Sequence, residues 1–586
     1  MTLGKAPAHQ DLHRSSAELC DARLGESSLY RLLHEQCHRL FPDEAFADLF
    51  HARGRRSVPP RIVAVVMVLQ RFEGLSDREA VERFTFDLRW KYACGGLDFD
   101  TDGFVHTVLV DMRARLRASE RPNRIFEAVL DVATSAGLVG RKRVLDSTAL
   151  YDAVATQDTV TLIRAAIRGL LRVADLALAD EMRAVLKRDD DYATAGKPVC
   201  DWDDTAAREE LIDALARDGF ALLAAVDGRV LPTPVKEAAQ LLARVLGQDL
   251  EESDEGLFRI ARRVAPDRVL STVDPEARHG HKTAARGFDG YKGHIAIDPD
   301  SEIITATEVT AANVGDASAV DALLADVLPP VELVSPTEQA NESPAQPTST
   351  QAASTQTEPE PSEATTNDDD EPQPSTPVTD AAPVTDAAPT EPGSSESGVA
   401  VWGDASYGTA DVVERLESAG VEANTKVQAP SARKGMFSQD AFAIDTDVGT
   451  VRCPNDVLVQ LRVRKGGSSH ASFGEHCSIC PKREACTSSS NGRLINVHPK
   501  HDVLHRSRAR QRSAAWKDRY RATRPKVERK LAHMVRRKHG GRRARVRGSE
   551  RVRHDFALLA AAINLARLAQ LGVCVLGGAS PAATRG

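Results

Sequence analysis

The sequence predicts an α/β fold: a mixed sheet core flanked by helices, with a helical N-terminal domain, a helical insertion and a disordered acidic linker. Three observations carry this. Residues 1–142 hold helix signals and no period-two apolar run, short apolar strand patterns begin only at Arg143, and residues 335–398 lack the apolar side chains a core requires. A chain of 586 residues also exceeds what one ordinary core serves, so two to four folding units are expected.

In the first segment Pro59-Pro60 opens a helix through Gln70. Ser76-Asp-Arg-Glu79 is a capping box that starts a second helix, with Ala80, Val81 and Phe84 turned inward. The two are joined by Glu73-Gly-Leu-Ser76 and preceded by the basic Arg53-Gly-Arg-Arg56, the outline of a helix-turn-helix unit. On the residues alone, plain helix packing is the more ordinary reading.

From Arg143 the pattern changes. Val144-Leu145-Asp146 is a first strand, residues 290–298 a second and 302–309 a third, with Asp298-Pro-Asp-Ser301 as the turn between the last two. Residues 316–328 then read as a helix and 399–402 as a fourth strand. Three strands, a helix and a further strand is the ribonuclease H-like order, in which the first and fourth strands are neighbours. That would bring Asp146 and Asp404 together across about 260 residues. Two insertions account for the distance: residues 158–269, with amphipathic helical patterns over 161–186, 206–223 and 234–246, and the linker. The core would therefore run over 143–334 and resume over 399–586.

The formal charge of −8 is misleading as an average. The linker alone contributes thirteen acids and no Lys or Arg, and without it the chain is net basic. Such a segment buries too little apolar area to offset its ordering entropy. Roughly twenty Lys or Arg residues crowd positions 500–553, the footprint of a phosphate-binding surface or, more plainly, of a solvated helix face. The N-terminal residues are polar and mixed in charge, without a targeting signal. The longest apolar stretch, 556–576, is interrupted by Asn564, Arg567 and Gln570, so it reads as a buried helix rather than a membrane span. Nine irregularly spaced cysteines suit a reducing, cytoplasmic setting.

Three carboxylates stand where hard divalent cations could be held. Asp146 and Asp404 each end an apolar strand, and Glu528 lies on a basic helical pattern over 525–538. Carboxylate oxygens are the ligands Mg²⁺ or Mn²⁺ prefers, and such ions promote phosphodiester cleavage. Pro525 suits the first helical turn, Gly540-Gly541 the stop, and Val527, Leu531, Met534 and Val535 form an apolar face that Glu528 borders. The competing reading of Glu528 is an exposed partner of nearby arginines. Asp152, Asp158, Asp289, Asp298 and Asp316 are set aside as turn, insertion or cap residues, Asp316 as an ordinary N-cap. On the second strand Lys292 is a candidate phosphate contact, while His294 is more simply a structural histidine than a ligand.

These carboxylates are accompanied by Ser271-Thr-Val-Asp-Pro-Glu-Ala-Arg278, Gly290-Tyr-Lys-Gly-His294, Glu308-Val-Thr-Ala-Ala-Asn-Val-Gly-Asp316 and the Tyr407-Gly408 after Asp404. In this order and spacing the chain resembles a DDE-type bacterial insertion-sequence transposase. The resemblance implies Asp146, Asp404 and Glu528 as a catalytic set on Mg²⁺ or Mn²⁺, and strand cleavage and transfer at element ends. It further implies an N-terminal domain over 1–142 that binds those ends, DNA as partner at both ends and target, and a homodimer on DNA. Members carry a tyrosine, an arginine and the glutamate in order; here Arg524 stands four before Glu528 and Tyr520 one residue further back than is commonest. The usual lysine after the glutamate is missing, with Arg536 as its substitute. The expected DNA contacts are Lys292, Arg524, Arg536, Lys538, Arg542 and Arg543. A catalytically inactive or domesticated DNA-binding derivative is the alternative.

Cys453-Pro, the Cys477-x2-Cys480 pair and Cys486 form a second constellation. Its spacing suits a structural tetrahedral zinc site, with His470 or His476 able to replace one ligand; four reduced, partly buried thiols are the other reading.

Overall fold

The computed structural model describes residues 15–329 and 398–573, apart from positions 52, 55, 153, 191, 255, 284–285 and 465–466. The expected linker, except for its last residue, lies outside them.

The main sheet has six strands: β1 (Lys142–Tyr151), β2 (Arg278–Thr283), β3 (Arg286–Ile297), β4 (Ile304–Ala311), β5 (Ala400–Gly403) and β6 (Glu422–Thr425). β3 is antiparallel to β1, with Ile295 opposite Asp146 and Lys292 opposite Ala149. β2 pairs antiparallel with the first part of β3 and β4 with the rest. On the far side β1 runs parallel to β5, with Arg143 beside Val401, and β5 parallel to β6. The strand bearing Asp146 and the strand leading to Asp404 are thus neighbours. Parallel partners need a crossover, and the helix Ala410–Ser418 supplies it between β5 and β6. β2 was not legible in the sequence, because Arg-His-Gly-His-Lys-Thr has no apolar alternation.

Alternation along the strands divides the interior. Val144, Tyr291, Ile295, Ile297 and Trp402 face the larger core. Leu145, Ala296 and Val401 face a smaller one, built with Val320, Leu323 and Leu416. The helix expected over 316–328 is corrected to a 3-10 turn, Asp316–Ala319, and a four-residue helix, Val320–Leu323. Asp316 does not cap it. Gly315 occupies the cap position, and the Asp316 side chain turns inward to Ser147 and Lys292.

The larger core joins the two ends of the chain. The helix Pro60–Glu73 is buried throughout Ile62–Arg71, as an all-round apolar helix must be, and Gly74 ends it with a left-handed φ of 69°. The capping box of Ser76 and Glu79 opens the next helix, Asp77–Phe86, which buries Ala80 and Phe84 while Val81 is half-buried. The C-terminal helix, Ser549–Gln570, packs on both Pro60–Glu73 and β4. Buried Asn564 fixes it to the sheet, accepting from Ile304 N at 2.9 Å and donating to Ile304 O at 2.8 Å. Buried Arg71 meets Asp555 at 3.1 Å on the other side. Among the described residues no helix is long and apolar enough to cross a membrane.

The insertion contains four helices, Thr159–Val173, Leu176–Ala184, Thr205–Val226 and Thr233–Asp249, around a separate core that includes Leu162, Ile163, Leu215, Leu222, Leu242 and Leu246. The single pattern over 161–186 is two helices, because Asp175 accepts from Leu178 N and caps a new one. A two-stranded hairpin, Leu250–Glu252 with Phe258–Ile260, completes it.

The shared core has a direct consequence. Each buried Val, Leu, Ile or Phe side chain contributes about 1.5–3 kcal/mol, and the helices over 16–135 supply many of those facing Ser549–Gln570. Deleting residues 1–141 should therefore abolish soluble, cooperatively melting protein. A truncated chain that melts close to the full-length temperature would contradict the shared core.

Candidate active site

Asp146 lies in the middle of β1, not at its end as the sequence pattern suggested, because β1 continues to Tyr151. Asp404 follows β5 directly. Glu528 lies on the helix Ala514–Met534, which differs from the expected 525–538 at both ends. The helix starts where Ser513 caps it, so Pro525 is interior. Trp516 stacks on Tyr520 at 4.7 Å, and the Tyr520 hydroxyl donates to Gly403 O at 3.2 Å, fastening the extra turns to β5. It stops at Met534, because Arg536 is extended and the chain turns to dock on Pro60–Glu73, where Arg71 donates to His539 O at 2.7 Å.

The three carboxylates converge on one guanidinium. Arg524 donates to Leu145 O at 3.1 Å and meets Asp146 at 2.8 Å, Asp404 at 3.6 Å and Glu528 at 3.9 Å. Its side chain is 8% exposed, so the expectation of Arg524 as a DNA contact is corrected: it is committed inward. The backbone orients the two aspartates, Ser147 N donating to Asp146 Oδ1 at 2.8 Å and Ser406 N to Asp404 Oδ1 at 2.9 Å. Burial raises the Asp404 carboxyl above its ordinary range; Arg524 opposes the shift and the negative charge of Asp146 adds to it. Glu528 borders the buried face of Val527, Leu531 and Met534 and is itself exposed.

A polar layer lies next to this set. Asp316 accepts from Ser147 Oγ at 2.6 Å and from Lys292 Nζ at 2.8 Å, and Lys292 also donates to Val314 O at 2.9 Å. Lys292, expected as a phosphate contact, is thus paired with Asp316 in this structure. Asp316 was misread as a cap; its only sequence signal was its place in the 308–316 segment. His294 is fully buried between Tyr407, at 2.9 Å, and Thr310, at 2.8 Å, a satisfied structural histidine. Gly408 is required after Tyr407, since a Cβ there would lie 2.1 Å from Lys426 O.

The donor chemistry fits a hard divalent cation: three carboxylates, two of them sharing a single buried cation. Among the described residues no group of three or more His, Cys, Asp or Glu is already closed to metal-holding separations. Arg524 stands between these acids instead.

The basic run divides into paired and free parts. Lys500 meets Asp411 and Glu414 at 2.5 and 2.6 Å, Arg510 meets Glu417 at 2.6 Å, and Arg512 meets Asp440 at 2.8 Å. Further on, Arg536 is exposed just past the glutamate helix, and Lys538 places its ammonium 4.3 Å over the Phe72 ring. Arg542 and Arg543 are exposed and extend the end of β1, where Tyr151 N donates to Arg542 O at 2.7 Å. That end is about 17 Å along the strand from Asp146.

Cys453, Cys477, Cys480, Cys486 and His476 line one cavity of about 20 Å³, room for a single water-sized sphere. Burial raises the Cys486 thiol, and the other three thiols add to the shift. His470 lies on the strand Ser469–Ser472 of a neighbouring small sheet.

The buried histidine yields a pH dependence. Burial drives the His294 imidazole down to about 4, whereas in the unfolded chain it titrates near about 6.5. Between these values the unfolded state binds the extra proton, so stability rises with pH and is lost on acidification from about 6.5 toward 4. His294→Gln should flatten the fall in melting temperature between about pH 7 and 4.5; a parallel fall in both proteins would contradict this.

A model described as Transposase domain matches residues 19–115, and two models described as Transposase DDE domain match residues 219–335 and 452–569. The first covers most of the N-terminal helices. The second takes in Lys292, His294 and Asp316, and the third takes in the four clustered cysteines, Arg524 and Glu528. Asp146 and Asp404 lie outside all three, so their assignment rests on the strands and on Arg524. No curated protein and no solved structure matches the chain. Three transposase models in sequence along one chain, around a mixed sheet that brings an aspartate pair to a glutamate helix, support one conclusion: the chain carries the domains of an insertion-sequence DDE transposase.

Proposed function

We propose that this transposase cuts and joins DNA at the ends of an insertion sequence, on a ribonuclease H-like core, with Asp146, Asp404 and Glu528 as its catalytic carboxylates. The observation that carries the reading is that Asp146 and Asp404, from two neighbouring strands, meet Arg524 on the helix that carries Glu528 one turn further on. The strand order, with β1 between antiparallel β3 and parallel β5, supports the fold assignment.

Mg²⁺ or Mn²⁺ held by the three carboxylates would supply activation of the attacking oxygen and stabilisation of the leaving oxygen. The chain's own groups prepare the place. Backbone N–H groups of Ser147 and Ser406 orient Asp146 and Asp404, and Glu528 stands exposed one helical turn after Arg524. Arg524 offsets the mutual repulsion of the acids. Attack by water frees a 3′-hydroxyl, and that hydroxyl attacks the second strand or target DNA; no covalent protein intermediate is needed. Arg536, Arg542 and Arg543 hold phosphates beside the β1 end, and the N-terminal helices bind the element ends. Both ends must be held for orderly movement, so a homodimer on DNA is proposed. Retention of all three acids in one place disfavours the inactive DNA-binding alternative. A structural zinc clip is proposed for the cysteine cluster because Cys453, Cys477, Cys480 and Cys486 line one small cavity, although among the described residues they are not closed to metal-holding separations.

On DNA carrying the flanking ends, Asp146→Asn, Asp404→Asn and Glu528→Gln should each abolish Mg²⁺-dependent cleavage and retain binding in gel-shift assays. Binding without cleavage by the unaltered chain, in Mg²⁺ or Mn²⁺, would favour the inactive reading. Arg524→Gln should cost on the order of 3 kcal/mol, because it leaves the largely buried Asp146 without its charged partner. Mg²⁺ should then raise the melting temperature more in the variant than in the wild type, and identical melts in both conditions would exclude the shared-cation role. Chelation of purified protein should release zinc and lower its melting temperature; a metal-free preparation that melts unchanged would leave four free thiols.

A further inference from the structure

A groove of about 780 Å³ separates the helical insertion from the β2–β3 edge of the main sheet. Lys292 lines it and pairs with Asp316, which accepts from Ser147, the residue after Asp146 on β1. The acids that line it have local partners: Asp249 pairs with Arg268 at 2.6 Å, and Asp289 hydrogen-bonds the His279 ring at 2.7 Å. The cations beside it do not. Arg263 on the lining, its neighbour Arg262, and Lys282 and Arg286 on β2 and β3 are exposed and form no ion pair among the described residues. Interleaved with them are groups that offer bases a surface: the half-exposed ring of His279, packed edge-on to His281 at 4.8 Å, and Ile260 and Val264, exposed at 48% and 78%.

Free cations tracking one side and rings or apolar groups between them are what a single polynucleotide strand requires. The volume is that of a ligand-sized cleft and not of a duplex-wide channel. We propose that this groove receives one unpaired DNA strand at the element end. Arg262, Arg263, Lys282 and Arg286 hold its phosphates, and its bases lie against His279, His281 and Val264. The proposal rests on the reading of the neighbouring carboxylates as a DNA-cutting centre and assigns the insertion a substrate-guiding part in it.

The test is fluorescence anisotropy with the full chain, without divalent metal, on three probes: a blunt duplex of an element end, the same duplex with a single-stranded extension, and an oligothymidine. The wild type should bind the extended duplex about tenfold more tightly than the blunt one. The charge reversals R262E/R263E and K282E/R286E should each erase that preference and reduce the salt slope on oligothymidine by about 1–2. If a reversal lowers the melting temperature, R262Q/R263Q is read instead. Variants that keep both the preference and the slope overturn the groove assignment, as does a wild type indifferent to the extension; in both cases the function proposed above survives. A wild type that binds none of the probes overturns both.

Discussion

The site depends on a buried guanidinium. Arg524 is removed from water, and that cost is offset only because Leu145 O and three carboxylates meet it. The same contacts fix the relation of three elements, β1, the turn after β5 and the helix Ala514–Met534. Two aspartates on neighbouring strands repel each other, and the charge of Asp146 adds to the rise that burial imposes on the Asp404 carboxyl. Arg524 lets them stay close. A cation is thus built into the design of the site before any substrate arrives, and the acids gather around it.

The second constraint is the core shared by the chain ends. Helix Ser549–Gln570 is held on one side by Asn564 to β4 and on the other by Asp555 to Arg71. The loop after the glutamate helix also docks on Pro60–Glu73, through Arg71 and His539. Glu528 is therefore supported from the N-terminal helices as well as from the sheet. A disturbance in that helix layer reaches the carboxylates through packing, without touching them.

Charge shows how little an average conveys. The overall balance is negative, yet the basic run over 500–553 is partly spent on Asp411, Glu414, Glu417 and Asp440. Exposed cations without an ion pair among the described residues include Arg536, past the glutamate helix, and Arg262, Arg263, Lys282 and Arg286 beside the insertion.

Local patterns in the sequence determined much of this chain. Apolar alternation marked β1, β3, β4 and β5, Ser76 and Glu79 marked a helix start, and interrupted hydropathy marked Ser549–Gln570 as buried. Asp146 and Asp404 were legible because strand order alone makes their strands neighbours. Tertiary structure decided what each polar group faces. Arg524 and Lys292 read as DNA contacts, yet each is paired with a carboxylate of the chain itself; Asp316 read as a cap, yet it turns inward. Periodicity and capping are set within a few residues, so a sequence displays them. The partner of a charge comes from elements far apart in the chain, and only the assembled sheet brings Ser147 to Asp316 across 169 positions or Leu145 to Arg524 across 379.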